Sequence, residues 1–193
     1  MKFYILRTSL SNYPEKLYRK LIFNASNDLD ELAFTIMSIY NTMAYHMYMF
    51  EDDNSTYYCQ MLIDDGIYDE TKENMYGSSF VTLDKLHARN RKFKMLYDFG
   101  EEYEFDIEIL DVIEINKYSK IPIVTEGSGY GILEDDKHNF IRYLEGELLE
   151  HPLYFYNNND YVELDFNDFN LEECNKKLKR EISIIRRAYT CYD

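Results

Sequence analysis

Hydrophobic and polar residues alternate on both sides of a short break near the middle of the chain. The apolar positions of the two alternating runs are Phe93, Met95 and Tyr97, then Tyr103, Phe105, Ile107 and Ile109. A period of two built from aromatic and β-branched residues predicts two strands. The break at residues 98–101 contains Gly100, which can take a positive φ, so it predicts a hairpin turn. We expect this hairpin to form the centre of one sheet.

The same alternation predicts shorter strands on the N-terminal side of the hairpin. They cover residues 3–10, 17–23, 45–50 and 56–63, and the first two should pair with each other. Residues 64–79 carry turn residues and charges, which predict an irregular surface excursion.

Apolar residues at three- and four-residue spacing predict the helices. The first starts at Leu29, is capped by Asn27 or Asp28, and should lie across the sheet. A single helical turn at residues 82–86 has Thr82 as its cap. A helix over residues 133–149 should turn Phe140, Ile141, Leu144 and Leu148 inward. The last helix, residues 171–189, carries Leu178, Ile182, Ile185 and Tyr189 on one face.

These elements indicate the α+β class: a single domain in which a mainly antiparallel sheet has helices packed on it, plus a C-terminal helix. A chain of 193 residues, of which 46% are hydrophobic, is long enough to bury one substantial core. Residues 122–131 hold three of the seven glycines, which predicts unusual backbone angles or close packing there.

The chain is strongly acidic. Its 36 Asp and Glu residues oppose 21 Lys and Arg residues, a formal net charge of −15. This charge favours solubility and repels polyanions such as DNA and anionic lipid, except at a local basic patch. Arg7 and Thr8 interrupt the N-terminal apolar run too soon for the hydrophobic region of a secretory signal peptide. No apolar run in the sequence is long enough for a membrane span. Cys59, Cys174 and Cys191 are odd in number and scattered, which favours a reducing cytoplasm.

Acidic residues gather at two places along the chain. Asp98 and Glu101 lie at the hairpin tip, and Glu134, Asp135 and Asp136 follow the glycine-rich segment. Turn chemistry and helix capping would account for these acids without a ligand. If the glycine-rich segment folds back toward the hairpin, the five residues form an acidic cluster that binds a basic partner or a divalent cation, since Mg²⁺ and Ca²⁺ prefer oxygen ligands.

No motif predicts a catalytic residue. Residues 127–131 lack the Gly-Lys-Ser/Thr end of a phosphate-binding loop. His46 lies in an aromatic strand and is interpreted as a structural histidine. We therefore predict no resident cofactor, and a divalent cation is the one ligand that the acidic cluster suggests.

The C-terminal helix differs from the rest of the chain in charge. Residues 171–193 hold six Lys or Arg residues and four acids. One interpretation is that Lys176, Lys179, Arg180 and Arg187 contact nucleic acid. The other is that the helix docks on the acidic body of its own domain with its apolar stripe buried.

Residues 97–101, Tyr-Asp-Phe-Gly-Glu, resemble the Tyr-Asp-Phe-Gly-Asp signature of the plasmid pRiA4b ORF-3-like family, which includes insertion-sequence passenger proteins of the TnpR-like type. Further segments resemble the family in the same order, at residues 16–20, 30–32, 45–50, 82–86, 126–131 and 134–136. Tyr18 and Tyr103 stand where many members carry Trp, and Tyr48 replaces a second His. The cysteines that many members carry near the Glu-Asp segment are absent, which argues against a metal site built from them.

The resemblance covers residues 1–150 and implies an α+β core. Residues 151–193 are then a C-terminal extension whose amphipathic helix packs on the same domain. The resemblance implies no established activity.

The leading hypothesis is a cytoplasmic, non-enzymatic protein-interaction module with an unidentified protein partner, because tyrosine-rich surfaces with an acidic rim suit protein recognition. One alternative is a mobile-element accessory protein that contacts nucleic acid through the basic helix. The other is a divalent-metal-dependent enzyme built on the hairpin and Glu-Asp carboxylates. The sequence leaves the partner and the oligomeric state open.

Overall fold

The computed structural model describes residues 1–66, 74–88, 90–116, 121–157 and 160–190. The strands in these ranges are β1 (Lys2–Leu10), β2 (Tyr18–Asn24), β3 (Tyr48–Glu51), β4 (Thr56–Tyr58), β5 (Met75–Gly77), β6 (Lys92–Tyr97), β7 (Tyr103–Glu114), β8 (Ile123–Ser128), β9 (Tyr154–Asn157) and β10 (Asp160–Glu163). The helices are α1 (Leu29–Ile39), α2 (Gln60–Asp64), α3 (Leu83–His87), α4 (Lys137–Glu145) and α5 (Leu171–Thr190).

Eight strands form one sheet in the order β5-β4-β3-β6-β7-β1-β2-β8, and β9 and β10 form a separate two-stranded sheet. The predicted hairpin, β6 and β7, holds the two central positions of the large sheet. Neighbouring strands are antiparallel except β4 and β5, which are parallel. The predicted α+β class and the predicted strand at the N-terminus with its pairing are confirmed.

The period of two decides which side chains of the hairpin enter the core. Its apolar positions are buried, from Phe93 on β6 to Ile109 on β7. The alternate positions face solvent, where Lys92 pairs with Glu108 across the two strands. One face of the sheet is therefore apolar and covered, and the other carries charge pairs.

Helix α1 lies between the sheet and α5. Asp28 caps it by accepting a hydrogen bond from the Glu31 amide, and every residue of the helix except Glu31 is buried. Just after the helix, the centre of the Tyr40 ring lies 4.7 Å from the centre of the Phe105 ring of β7. On the other side of the helix, the centre of the Phe34 ring lies 5.6 Å from the centre of the Tyr189 ring of α5. A helix covered on both sides needs apolar residues nearly all round, which α1 has.

The turn of the central hairpin differs from the prediction. The positive φ angles belong to Asp98 (60°) and Glu102 (54°) and not to Gly100. Aspartate tolerates this conformation because its short side chain can bond to nearby amides. Asp98 Oδ1 accepts from the Gly100 amide at 2.9 Å and the Glu101 amide at 3.3 Å.

The helix predicted over residues 133–149 is shorter than expected. It starts at Lys137 and ends at Glu145, and Gly146 caps it in the left-handed conformation with a φ of 82°. Phe140 and Leu144 are buried as predicted. Leu148, predicted to face inward, is 96% exposed, because the chain has already left the helix.

Two predictions for residues 56–79, which precede α3, are wrong in part. The strand predicted over residues 56–63 ends at Tyr58, and α2 follows from Gln60. The predicted irregular excursion contains β5 and a 3₁₀ turn (Ser78–Phe80). With three residues, β5 is too short to show the alternation of apolar and polar residues that predicts a strand. Residues 67–73 of that excursion lie outside the described ranges.

Helix α5 docks on the domain through the predicted stripe. Leu178, Ile182, Ile185 and Tyr189 are all buried. Its Arg186 forms a bidentate pair with Glu31 of α1. None of the helices within the described ranges is long and apolar enough to cross a membrane.

Arg19 on β2 is the largest fully buried side chain in the described residues, at 1% exposure. Its guanidinium donates to the carbonyl oxygens of Ser128, Gly129 and Tyr130 at 2.6, 2.7 and 2.9 Å. The guanidinium carbon also lies 4.2 Å from the centre of the Phe169 ring. These contacts hold the glycine-rich segment against the sheet.

Glycine is required where that segment packs. A Cβ on Gly131 would lie 2.3 Å from the Tyr40 carbonyl oxygen, and one on Gly127 would lie 2.8 Å from Arg19 Cδ. Gly129 has a φ of 74°. The predicted close approach and unusual backbone angles are both present.

Arg19→Met should lower the free energy of unfolding by about 3 kcal/mol or more, because buried carbonyl groups lose a charged donor. Urea unfolding measures this change. The matched control is Lys20→Met, the next residue on the same strand, which faces solvent and pairs with Glu126. Its effect should stay below about 1 kcal/mol. Equal effects of the two substitutions would contradict the role assigned to Arg19.

Candidate functional site

Asp98 and His46 meet at the tip of the central hairpin. Asp98 is 4% exposed, and its Oδ1 is used by the turn amides. Its Oδ2 lies 3.3 Å from His46 Nε2. Neither of these two atoms has a hydrogen-bond partner of good geometry among the described residues. The pair carries an attractive charge interaction when His46 is protonated.

Glu134 connects the Glu-Asp segment to the same hairpin. The Glu134 residue is 9% exposed. It accepts a hydrogen bond from the Tyr97 hydroxyl on β6 and another from the Met43 amide in the loop after α1. Burial raises the pKa of Glu134, while the two hydrogen bonds act in the opposite direction. Glu134 thus fastens the loop at Met43 to the sheet.

The neighbouring acids have separate surroundings. Exposed Asp135 accepts from the Tyr45 hydroxyl at 3.1 Å, and partial burial with this hydrogen bond raises the pKa of Tyr45 to about 12. Asp136 occupies the cap position of α4 but makes no capping bond, and it accepts instead from Asn139. At the hairpin tip, the backbone carbonyl of Glu101 accepts a hydrogen bond from Lys137.

The residues just after the glycine-rich segment contact the hairpin, since Glu134 accepts from the Tyr97 hydroxyl and Lys137 donates to the Glu101 carbonyl oxygen. Protein donors reach Asp98, Glu134 and Asp135, so these acids hold turns and loops in place. Within the described ranges, no group of three or more His, Cys, Asp or Glu side chains is arranged to hold a metal ion. Binding of a basic partner by the exposed acids stays a prediction.

A wide cavity opens beside this cluster. It has a volume of about 900 Å³ and lies between the Met43 loop, residues 130–135, the β9–β10 hairpin and α5. A second cavity of about 430 Å³ adjoins it and contains Cys174 and Asp168. The two share four lining residues, namely Asn41, Tyr130, Lys177 and Glu181. We call the two cavities together the α5 cleft.

Four large, exposed apolar side chains of the described residues lie together at the larger cavity of the α5 cleft. Met43 is 49% exposed, Tyr154 48%, Tyr161 71% and Ile184 52%, and all four line it. Tyr45, which bonds to Asp135 at the cavity wall, is 49% exposed. Large apolar groups at a concave surface are typical of binding sites.

Lys177 lies where the two cavities meet. Its Nζ donates to Asn41 Oδ1 at 2.7 Å and lies 3.6 Å from Glu181 Oε2. Burial lowers the pKa of Lys177. The lysine thus has internal partners for its charge.

The four basic residues predicted to contact nucleic acid lie on α5, and three of them have partners on the helix. Lys176 pairs with Glu172 and Glu173, and Arg180 pairs with Glu181. Arg187 donates to the Ser183 carbonyl oxygen, and Lys179 is exposed. Local acids therefore reduce the positive field of this face. Nucleic-acid binding stays a prediction.

The α5 cleft was not predicted from the sequence. The tyrosines divide between two environments: Tyr4, Tyr40, Tyr57, Tyr97 and Tyr103 are buried in the core, whereas Tyr154 and Tyr161 line the cleft. Ile184 carried a usable signal, because it is an apolar residue outside the buried stripe of an amphipathic helix. The contributions from the β9–β10 hairpin and the Met43 loop depend on tertiary packing, which leaves no local pattern.

The comparisons with known proteins agree with the fold. A family model for the plasmid pRiA4b ORF-3-like protein matches residues 2–176, so the resemblance is confirmed and the match continues past residue 150 into α5. The crystal structure of a protein of unknown function from Methanosarcina mazei Go1 is similar, with a TM-score of 0.62 and 18% identity over 78% of this chain and 83% of that chain. No match was found among the curated proteins.

Glu134→Gln should change stability in a pH-dependent way. Because the pKa of Glu134 is raised above its ordinary value of 4.5 in the folded state, the wild type loses stability as the pH rises through the folded pKa. The glutamine does not titrate. The free energy of unfolding of the variant, minus that of the wild type, should therefore increase from pH 4.5 to pH 7, as measured by urea unfolding at each pH.

Glu126→Gln is the control of opposite sign, because hydrogen bonds from Lys20 and Tyr18 lower the pKa of Glu126. Its difference from the wild type should decrease as the pH rises toward 4.5 and change little from pH 4.5 to pH 7, because a lowered pKa affects stability below the ordinary value of 4.5. A difference for Glu134→Gln that stays flat or decreases would show that the hydrogen bonds from Tyr97 and Met43 outweigh burial.

Proposed function

The chain belongs to the plasmid pRiA4b ORF-3-like family, and we propose that this member is a non-enzymatic protein-interaction module whose α5 cleft binds an extended segment of a partner protein. Neither the family description nor the archaeal structure assigns an activity. The proposal therefore depends on the surface of this chain.

The observation that carries the proposal is a group of four exposed apolar side chains at one cleft. Most large apolar side chains within the described ranges are in the core, including Phe34, Tyr40 and Phe105. Met43, Tyr154, Tyr161 and Ile184 instead stay about half exposed or more around the larger cavity. Burying the exposed half of such a side chain stabilises a complex by about 1 kcal/mol, and aromatic anchors dominate many protein interfaces.

The walls of the α5 cleft are fixed before binding. The Met43 loop is held by Glu134, and Tyr130 is held through its carbonyl oxygen by Arg19 and by Asn41. Helix α5 is fixed by its buried stripe. A surface whose walls are already ordered loses less conformational entropy on binding than a mobile surface does.

The same proposal assigns the protein to the cytoplasm. Cys59 and Cys174 are free thiols, and Cys59 is buried. Thiols remain reduced in that compartment.

Ile184→Asp should weaken binding to the partner at least about tenfold, because it places a charge where an apolar side chain is buried in the complex. The wild type and the variant are used as baits in the native host, bound proteins are identified by mass spectrometry, and the affinity of the purified partner is then measured. Leu148→Asp is the matched control, since Leu148 is 96% exposed and lies outside the cleft.

Both substitutions are at exposed positions, so each should leave the melting temperature nearly unchanged. A protein retained by the wild type and by Leu148→Asp but lost by Ile184→Asp supports the proposal. Equal binding by all three chains contradicts it. Recovery of nucleic acid whose retention falls steeply with salt would favour the basic-helix alternative instead.

A further inference from the structure

The length of the α5 cleft matches that of a short extended peptide. Its lining residues on α5 run from Glu173 in the smaller cavity to Ile185 in the larger one. Twelve steps along a helix cover about 18 Å, at about 1.5 Å per residue. An extended chain rises about 3.3 Å per residue, so about five residues of a partner fill this length.

Carboxylates are placed along the whole cleft. Asp168 and Glu173 line the smaller cavity, Glu181 lies where the cavities meet, and Glu134 and Asp135 line the larger one. Asp135 and Asp168 are exposed. They are available to a ligand at opposite ends of the cleft.

The positive groups of the cleft are engaged within the protein. Arg19 donates to backbone carbonyl oxygens, and Lys177 donates to Asn41. Arg180 is paired with Glu181. The five acidic side chains that line the cleft still outnumber these three basic ones. Together with the formal net charge of −15, this excess favours cations over acidic segments.

Aromatic rings add a second feature that suits cations. The rings of Tyr130 and Phe155 pack 4.4 Å apart in the larger cavity, and Tyr154 and Tyr161 are exposed beside them. The face of an aromatic ring attracts Lys and Arg side chains. Apolar side chains of a partner can bury against the same rings and against Ile184.

We propose that the occupant of the α5 cleft is an extended, basic segment of a partner protein, about five residues long, with Lys or Arg side chains between apolar ones. This inference depends on the proposed function and specifies its partner. The apolar residues supply contact area, and the basic residues select the segment by meeting Asp135 at one end and Asp168 at the other.

The test is a selection of phage-displayed random seven-residue peptides on the full chain, with binders to Ile184→Asp removed at each round. Enriched peptides should contain Lys or Arg next to apolar residues. The double variant Asp135→Asn/Asp168→Asn should bind a synthetic copy of an enriched peptide about fivefold more weakly and with less salt dependence. Asp64→Asn/Asp65→Asn changes the net charge equally at exposed positions outside the cleft and should bind as the wild type does.

The outcomes separate this inference from the proposed function. Enrichment of neutral or acidic peptides that depends on Ile184 would overturn the basic occupant and leave the interaction module standing. Equal losses in the two double variants would also overturn it, because the effect would then come from overall charge. Failure to enrich any peptide over Ile184→Asp would contradict the proposed function itself, as would concentration-dependent self-association abolished by Ile184→Asp, since a second copy of the chain would then occupy the cleft.

Discussion

The buried guanidinium of Arg19 joins the sheet, the first helix and the wall of the α5 cleft around one side chain. A charge placed in the core is costly unless polar groups surround it, and here the carbonyl dipoles of Ser128, Gly129 and Tyr130 take that role. Because the guanidinium needs those carbonyl groups close by, the glycine-rich segment must lie flat against β2. The Tyr130 carbonyl also accepts from Asn41 at the end of α1, and the Ile132 amide donates to the Tyr40 carbonyl oxygen. Tyr130, at the end of this segment, lines both cavities of the cleft.

The segments that resemble the family signature serve mainly this internal framework. Asp98 closes the hairpin turn, and Glu134 ties the Met43 loop to Tyr97. Asp30, from another such segment, is buried and accepts from the Tyr48 hydroxyl. Buried polar groups are costly when unsatisfied, so such networks specify one arrangement of the elements. The α5 cleft, which is the proposed binding surface, lies beside these networks, where α5 and the β9–β10 hairpin extend the core.

Elements set by local periodicity were predictable from the sequence, whereas features set by long-range packing were not. The alternation at Phe93–Ile109 and the stripe from Leu178 to Tyr189 correctly predicted the central hairpin and the docked face of α5. The burial of Arg19 depends on contacts between distant parts of the chain. The positive φ at Asp98 and the end of α4 before Gly146 are local features, but the pattern was ambiguous there, because Gly100 could also take a positive φ and Leu148 continued the helical spacing. For the acidic cluster, the sequence predicted that the Glu-Asp segment could reach the hairpin, and Glu134 does contact Tyr97 there. Binding of a ligand by the five acids stays a prediction. The α5 cleft was not predictable, because four separate segments form its walls.

Site-specific photo-crosslinking in the native host would reveal whether a partner protein occupies the α5 cleft. A benzoylphenylalanine placed at position 184 lies in the cleft, and one placed at position 148 lies outside it. We expect a discrete protein adduct at position 184, mapped by mass spectrometry to a short basic segment, and no such adduct at position 148. Adducts of the same pattern at both positions, or at position 148 alone, would contradict binding in the cleft.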